Sequence, residues 1–155
     1  MKATVSIFFF LTLLSFSAFT HAETVNEASV NKFMNTIDQA TADKDANAVI
    51  NYMSNDVEII MNINTGGQKQ VINPSRDKYL EMLKQGWAVY KNYEYSRTNT
   101  KITIASPRKA FVSSDINESM VINEQIIKGH SKEKMVLELV NDRILITKIT
   151  TYISM

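Results

Sequence analysis

The spacing of apolar residues divides the chain into a helical first half and a β-rich second half. In the first half, an apolar residue recurs every three or four positions at Val30, Phe33, Met34, Ile37 and Ala40. This is the spacing of one face of an α-helix. Thr24 and Glu27 precede it at the spacing of a capping box, in which each side chain satisfies a free backbone amide of the other residue. The pattern therefore predicts a first helix that begins near Thr24.

Two further helices are predicted before the β-rich half. Asp43 or Asp45 can cap a short second helix that ends at Asn55-Asp56, and its inner face consists of Val49, Ile50 and Met53. Pro74 suits the first turn of a third helix. The inner stripe of that helix consists of Tyr79, Leu80, Leu83, Trp87 and Tyr90. Because Gly86 costs about 1 kcal/mol relative to alanine inside a helix, we expect a close backbone contact there.

The remaining segments have the patterns of strands. Val57 to Ile63 is rich in β-branched residues, and Gln68 to Ile72 can return beside it after a turn at Gly66-Gly67. From Tyr93 onward the pattern is entirely β, with tight connections expected at Asn123-Glu124 and Asn141-Asp142. Three helices followed by a long antiparallel meander indicate an α+β fold with the helices packed on one face of the sheet.

Residues 1–22 have the composition of a secretory signal peptide. Lys2 provides a positive charge, an uncharged apolar stretch runs from Val5 to Phe19, and Thr20 and Ala22 are small residues at the cleavage positions. The stretch is shorter than the roughly 20 apolar residues of a membrane-spanning helix. The alternative is an uncleaved N-terminal anchor. The sequence predicts cleavage after Ala22 and a periplasmic or secreted domain of residues 23–155.

Charge and cysteine content narrow the classes of partner. Without Lys2, the basic residues equal the 16 acidic residues in number. A balanced charge argues against nucleic acid, which attracts proteins through a basic surface, and against a polybasic contact with a membrane after cleavage. The chain has no cysteine, which excludes a lipid anchor on cysteine. A single domain of this length buries roughly two-thirds of its unfolded surface and needs no disulfide.

Two segments resemble the nuclear transport factor 2-like superfamily, which includes polyketide cyclases of the SnoaL type and ketosteroid isomerases. Residues 46–59 read ANAVINYMSNDVEI and look like the family's second helix running into its first strand. Residues 139–144 read LVNDRI and look like its penultimate hairpin. The resemblance implies a cone-shaped, strongly curved antiparallel sheet around a pocket, and a homodimer formed through the sheet. Because the superfamily contains enzymes and non-enzymes, it does not decide the function.

The resemblance also locates the positions at which related enzymes act. The tyrosine donor of the isomerase branch falls on Phe33 and its carboxylate base on Asn62, and neither residue can transfer a proton at neutral pH. The acid that many cyclase-like members carry near the end of the last strand has no counterpart in residues 151–154. We therefore expect no catalytic residue of that type. The predicted ligand-binding positions are Phe33, Asn62, Trp87, Glu118 and Met120.

Glu118 and His130 remain as candidates for other chemistry. On a regular strand Glu118 faces the same side as Ile116 and Met120, where it could act as an acid or base. A β-bulge near residues 115–117 would instead turn it to solvent, and this interpretation is favoured because unpaired buried glutamates are rare. His130 shares its face with Lys128, Lys132 and Lys134, which indicates a solvated surface. A lone histidine also makes a poor metal site, so no metal or cofactor is expected.

The sequence is compatible with three functions. The sequence favours a non-catalytic module that binds a small apolar molecule, with Tyr79, Trp87 and Tyr90 either in the core or stacked on the ligand. The first alternative is a protein-interaction subunit or inhibitor in the cell envelope, with apolar contacts at Phe111, Val121 and Ile153. The second alternative is an isomerase, cyclase or hydrolase that uses Glu118 or His130.

Overall fold

The computed structural model describes residues 24–154, and the predicted signal peptide of residues 1–22 lies outside the described residues. The described chain forms α1 (Glu27–Ala42), α2 (Ala46–Asn51), β1 (Met53–Thr65), β2 (Gln68–Ile72), α3 (Arg76–Val89), β3 (Lys91–Ser106), β4 (Lys109–Ile122), β5 (Gln125–Val140) and β6 (Arg143–Ser154). Among these residues no helix has the length and apolar character needed to span a membrane.

The first helix begins two residues later than the sequence pattern predicts. Asn26 is the N-cap: its side-chain oxygen accepts a hydrogen bond from the backbone N–H of Ser29 at 2.9 Å. In return the backbone N–H of Asn26 donates to the Ser29 hydroxyl at 3.0 Å. The predicted capping box of Thr24 and Glu27 is therefore wrong, because the helix is capped at Asn26 and the reciprocal pair is Asn26 with Ser29.

The second helix is shorter than predicted. Asp45 caps it by accepting a hydrogen bond from the backbone N–H of Ala48 at 2.9 Å. The helix ends at Asn51, so its predicted end at Asn55-Asp56 is wrong. Pairing with the sheet begins directly after the helix, because the carbonyl oxygen of Tyr52 accepts a hydrogen bond from the backbone N–H of Ile146 at 2.8 Å.

The third helix begins at Arg76, with Ser75 as its N-cap, rather than at Pro74. The Ser75 hydroxyl accepts a hydrogen bond from the backbone N–H of Lys78 at 3.2 Å, and Pro74 precedes this cap. The close contact expected at Gly86 is present, but it involves a side chain rather than a backbone. A Cβ atom at Gly86 would lie 3.3 Å from the hydroxyl of Tyr90, whose ring folds back along the helix.

The six strands form one curved sheet in the order β2-β1-β6-β5-β4-β3. Neighbouring strands are antiparallel except β1 and β6, which are parallel. The predicted α+β cone fold is confirmed, with a mixed rather than a wholly antiparallel sheet. The parallel pair arises because the chain leaves β2 at one edge, crosses through α3 to β3 at the other edge, and returns to the centre with β6. The helices cover one face, where α1 packs on β3 and α2 and α3 pack on β1.

Tight turns connect the long strands of the second half. Asn123 and Glu124 have φ values of 49° and 65°, and Asn141 and Asp142 have values of 48° and 59°. Positive φ at both central residues is typical of the two-residue hairpin turn that matches the twist of its strands. Both turns lie where the sequence predicts them. The core fills the space between the helices and the concave face of the sheet, and its largest fully buried side chains are Val25, Val30, Leu137 and Ile146.

A bulge in β3 determines which of its side chains reach the concave face. Thr98 pairs with Asp115, but Lys101 pairs with Ser113, so β3 contains one additional residue between these pairs. Asn99 lies in this bulge with a φ of 52°. The additional residue reverses the alternation of the strand, so that Arg97 and Ile102 both point towards the interior although their numbers differ in parity.

We expect the left-handed backbone of Asn99 to be sensitive to β-branching. Asn99→Val should lower the free energy of unfolding by at least about 1 kcal/mol, because a β-branched residue is strained at positive φ. Asn99→Gly loses the same hydrogen bond from the Asn99 amide to Asp115 but adopts this conformation freely, so it should lose less. Denaturant unfolding monitored by circular dichroism measures both. Equal losses in the two variants would contradict the strained bulge.

Candidate functional site

The concave face of the sheet and the helices enclose a cavity of about 430 Å³. Its walls are mostly apolar and include five methionines, namely Met53, Met61, Met82, Met120 and Met135. Four aromatic residues also line it, namely Tyr79, Trp87, Tyr90 and Tyr95. Besides the tyrosines, five charged or titratable side chains interrupt this apolar surface: Arg97, Glu118 and Glu133 on its walls, and Lys128 and His130 at its mouth. The cavity therefore combines an adaptable apolar wall with a small number of polar groups.

Strands β4 and β5 bring the carboxylates to the cavity through an uninterrupted register. Pairing between these strands is continuous from Lys109 with Glu138 to Ile122 with Gln125. The favoured prediction that a bulge near residues 115–117 turns Glu118 to solvent is therefore wrong. The bulge lies in β3 instead, and Glu118 keeps the inward orientation of Ile116 and Met120.

Glu118 has a neutral partner rather than a cationic one. The Tyr93 hydroxyl donates a hydrogen bond of 2.5 Å to its Oε1 atom. Its Oε2 atom lies beside Gly129, 3.8 Å from the position that a Cβ atom on residue 129 would occupy. Glu118 and Gly129 both line the cavity, and no side chain at residue 129 covers this oxygen. The salt bridges formed within residues 24–154 do not include Glu118.

A buried ionic cluster lies next to this carboxylate. The Arg97 guanidinium is only 5% exposed, and its Nε and Nη1 atoms each donate a hydrogen bond of 2.8 Å, to Asp38 and Glu133 respectively. Its Nη2 atom donates to the Tyr95 hydroxyl at 2.8 Å, and that hydroxyl donates to Asp38 at 2.9 Å. Each of the three guanidinium nitrogens thus donates one hydrogen bond inside the cluster. It connects α1, β3 and β5.

The excess of carboxylates over cations affects the ionisation of the cavity groups. Burial raises the pKa of the Glu133 carboxyl above its ordinary value of 4.5, and the neighbouring Arg97 guanidinium opposes this change without cancelling it. The negative charges of Asp38 and Glu118 raise the pKa of Glu133 further. The pKa of the Tyr79 hydroxyl is also raised, first by burial and then by the charges of Glu133 and Glu118. The carboxylates Asp38, Glu118 and Glu133 therefore outnumber the one guanidinium at the buried end of the cavity.

The structure brings three of the five predicted ligand-binding residues to the cavity, namely Trp87, Glu118 and Met120. Phe33 does not line it, because its ring is buried in the core against Tyr52, with an edge-to-face centroid distance of 5.5 Å. Asn62 does not line it either. Its neighbour Met61 faces the cavity, so Asn62 points to the other face of β1, where its amide donates to the carbonyl of Thr151 at 3.3 Å. A shift of one residue along a strand reverses the face.

His130 belongs to the rim of the site. Its Nδ1 atom lies 3.0 Å from the Asn117 amide oxygen, on the neighbouring strand, and its side chain is exposed. This agrees with the solvated face predicted from the neighbouring lysines. Within the described part of the chain, no group of three or more histidine, cysteine, aspartate or glutamate side chains is arranged to hold a metal ion.

The outer face of the sheet carries a separate groove of about 280 Å³, lined by Lys101, Phe111, Lys134 and Lys148 among others. Phe111 is 44% exposed there, and the amine of Lys109 lies 5.7 Å from the centre of its ring. Of the other two apolar contacts predicted for a partner, Val121 is half-buried and Ile153 lines the inner cavity. The prediction that Ile153 contributes to an outer surface is wrong, because an extra residue near Thr147 changes the alternation of β6.

The ionic cluster is the part of the site that sequence analysis misses. Tyr93, Tyr95 and Arg97 alternate along β3, and this two-residue period was a usable signal that they share a face. Glu133 gives no such signal, because it stands between Lys132 and Lys134 in a segment that is typical of a solvated strand. Asp38 lies on the exposed side of the predicted first helix, and only the packing of that helix on β3 assigns it a partner.

Solved structures with the nuclear transport factor 2-like fold are similar to this chain. A ketosteroid isomerase-like protein from Erwinia carotovora atroseptica SCRI1043 has a TM-score of 0.61 and 16% sequence identity, over 83% of this chain and 98% of that chain. An NTF2-like protein from Cytophaga hutchinsonii ATCC 33406 has a TM-score of 0.63 and 12% identity, over 83% and 99%. The hexachlorocyclohexane dehydrochlorinase LinA-type3 from Novosphingobium barchaimii LL02 has a TM-score of 0.62 and 12% identity, over 81% and 84%.

Identities this low show the fold alone. No protein-family model and no curated protein sequence matches the chain. The resemblance recognised in residues 46–59 and 139–144 is thus confirmed at the level of the fold. A shared fold does not determine function, which depends on the residues of the cavity.

The raised pKa of Glu133 predicts how its contribution to stability changes with pH. Because the folded state holds this proton more tightly than the unfolded state, folding is favoured at low pH and this advantage is lost as the pH rises above about 4.5. Glu133→Gln does not titrate, so its free energy of unfolding should rise relative to that of the wild type between pH 4 and neutrality.

Urea unfolding of both proteins at several pH values measures this difference. Glu138→Gln is the matched control. Hydrogen bonds from Lys109 and Thr147 lower the pKa of Glu138, and burial opposes this change without outweighing it. The free energy of unfolding of Glu138→Gln should therefore fall relative to that of the wild type as the pH rises. A difference for Glu133→Gln that stays constant or falls as the pH rises would mean that Arg97 dominates the ionisation of Glu133.

Proposed function

We propose that this domain binds a small, largely apolar molecule in the cavity of its concave face. The observation that carries the proposal is an apolar cavity of about 430 Å³ with Glu118 as a polar group on its wall. Ligand pockets in proteins typically measure about 300–1,000 Å³ and combine apolar walls with a few polar groups that orient the ligand. The cavity has both properties.

The methionine content of the walls supports this proposal. Five methionines line the cavity, and their unbranched, polarisable side chains adapt to irregular shapes and make favourable contacts with aromatic groups. A wall of this kind suits a compact hydrophobic body rather than a strongly hydrated sugar or phosphate. One protein of the same fold, the dehydrochlorinase, takes its name from hexachlorocyclohexane, which is a compact apolar ring compound.

The only tryptophan of the chain, Trp87, reports directly on occupancy of the cavity. Adamantanol, a compact neutral alcohol without ultraviolet absorption, should change the fluorescence of Trp87 in a saturable manner. Met82→Arg introduces a long charged side chain from α3 into the cavity and should weaken binding about tenfold or more, which corresponds to roughly 1.4 kcal/mol.

Lys84→Arg, on the exposed side of the same helix, is the control and should bind like the wild type. Fluorescence titration gives the affinity, and calorimetry confirms the stoichiometry. The proposal fails if adamantanol and similar compact apolar alcohols give no saturable signal, or if Met82→Arg binds them as well as the wild type does.

A second candidate function is proton transfer to or from a bound substrate. The observation that favours it is the inward position of Glu118 and its hydrogen bond to Tyr93. A carboxylate beside a phenol can serve as a general base with a neighbouring donor for the charge that develops on the substrate. Glu118 lines the cavity, whereas Phe33 and Asn62, the two positions that lack a proton-transferring group, lie outside it.

Exchange of carbon-bound protons tests the second candidate. β-Tetralone has acidic protons next to its carbonyl and an apolar body, so the protein should accelerate their exchange with D₂O if Glu118 is a base. Glu118→Gln should then slow the protein-dependent exchange by about a hundredfold or more. Glu138→Gln on the outer face is the control, and proton NMR follows the reaction. Exchange at the uncatalysed rate with wild-type protein would exclude this activity for β-tetralone, and equal rates in Glu118→Gln would exclude Glu118 as the base.

A further inference from the structure

The ionisable groups of the cavity have unequal access to a ligand. Arg97 donates to Asp38, Glu133 and Tyr95, so its hydrogen-bonding groups are directed into the ionic cluster. Glu118 accepts only from a neutral phenol, and its Oε2 atom faces the space left free by Gly129. Of the two carboxylates that line the cavity, Glu133 is paired with Arg97, so Glu118 is the one whose negative charge has no cationic partner.

Aromatic rings surround the same end of the cavity. The ring of Tyr93 packs against Trp87 with a centroid distance of 6.3 Å and stacks on Tyr90 at 5.9 Å. Trp87 and Tyr90 also line the cavity. The faces of such rings carry partial negative charge and attract cations, and proteins recognise quaternary ammonium groups in this way. A carboxylate beside three aromatic rings is a combination that favours a positively charged nitrogen.

We propose that the ligand of this cavity carries a cationic nitrogen, as a protonated amine or a quaternary ammonium group, on an apolar body. The nitrogen lies against the Oε2 atom of Glu118 and the rings of Trp87 and Tyr90, and the apolar body extends along the methionine-lined wall. This inference rests on the proposed function, because it specifies the chemical class of the molecule that the cavity binds.

An anionic ligand is disfavoured by the same geometry. A carboxylate or phosphate would approach both Glu118 and Glu133, while the only guanidinium among the described residues that line the cavity is already engaged by two carboxylates. Lys128 and His130 lie at the mouth but occupy the alternate, exposed positions of β5. The charge of Glu118 also contributes, after burial, to raising the pKa of the Tyr90 hydroxyl, which indicates that its field reaches the aromatic rings.

Three adamantane derivatives separate charge from shape. Adamantylammonium, adamantanol and adamantane carboxylate share one apolar body and differ in a single charged or neutral group. At pH 7.5 the wild type should bind the ammonium compound about tenfold or more tightly than the alcohol, and the carboxylate most weakly. Fluorescence of Trp87 and calorimetry measure the three affinities.

The Glu118→Gln variant assigns the preference to one group. It should bind adamantanol with little change and lose most of the preference for the ammonium compound. Glu138→Gln removes the same charge from the outer face, where Glu138 pairs with Lys109, and should retain the preference. Urea unfolding of each variant verifies that it is folded. If Glu118→Gln does not fold, the comparison of the three compounds on the wild type still decides the inference.

The outcomes distinguish this inference from the proposed function. Saturable binding of adamantanol without any preference for adamantylammonium overturns the inference and leaves the binding function intact. Absence of binding by all three compounds counts against both. A preference that persists in Glu118→Gln overturns the assignment to Glu118, and tighter binding of the carboxylate than of the ammonium compound overturns the charge argument.

Discussion

The arrangement of the cavity depends on a single buried cation. Arg97 comes from β3, and its guanidinium is neutralised by Asp38 of α1 and Glu133 of β5. Leaving one partner of a buried ion pair alone costs about 3–5 kcal/mol, so these three segments cannot shift independently. The cluster holds α1 against one side of the curved sheet. It also pairs the guanidinium of Arg97 with Asp38 and Glu133, and leaves Glu118 as the lining carboxylate without a cationic partner.

Local features of the fold could be predicted from the sequence, whereas pairings across long distances could not. Each of the turns at Asn123-Glu124 and Asn141-Asp142 depends on the conformation of only two residues, and each turn fixes where the strands on either side end and begin. The starts of the first and third helices were displaced by one or two residues, because several side chains near each end can accept the same hydrogen bond, whereas Asp45, one of the two predicted caps, does cap the second helix. The parallel pairing of β1 with β6 has no local signal.

The site was predictable only where alternation is uninterrupted. Glu118 and Met120 share a face as a regular strand requires, because β4 is regular. Asn62 was assigned to the wrong face, since one residue of error in β1 exchanges inside for outside. The same limit applies to Arg97: its partners lie 59 and 36 positions away in the sequence, and the bulge at Asn99 separates its face from that of the following residues.

The central position of β6 has a consequence for how the chain folds. β6 lies between β1 and β5, so the sheet consists of two blocks, β2-β1 and β5-β4-β3, that share no strand pairing without it. The contacts of β1 with β6 join residues such as Met53 and Ile146, which are distant in sequence. Closing so long a loop is entropically costly and slows folding. We therefore expect the half of the cavity built on α2 and β1 to join the rest of the sheet late, and an incomplete chain that lacks β6 to expose two unpaired strand edges to neighbouring molecules.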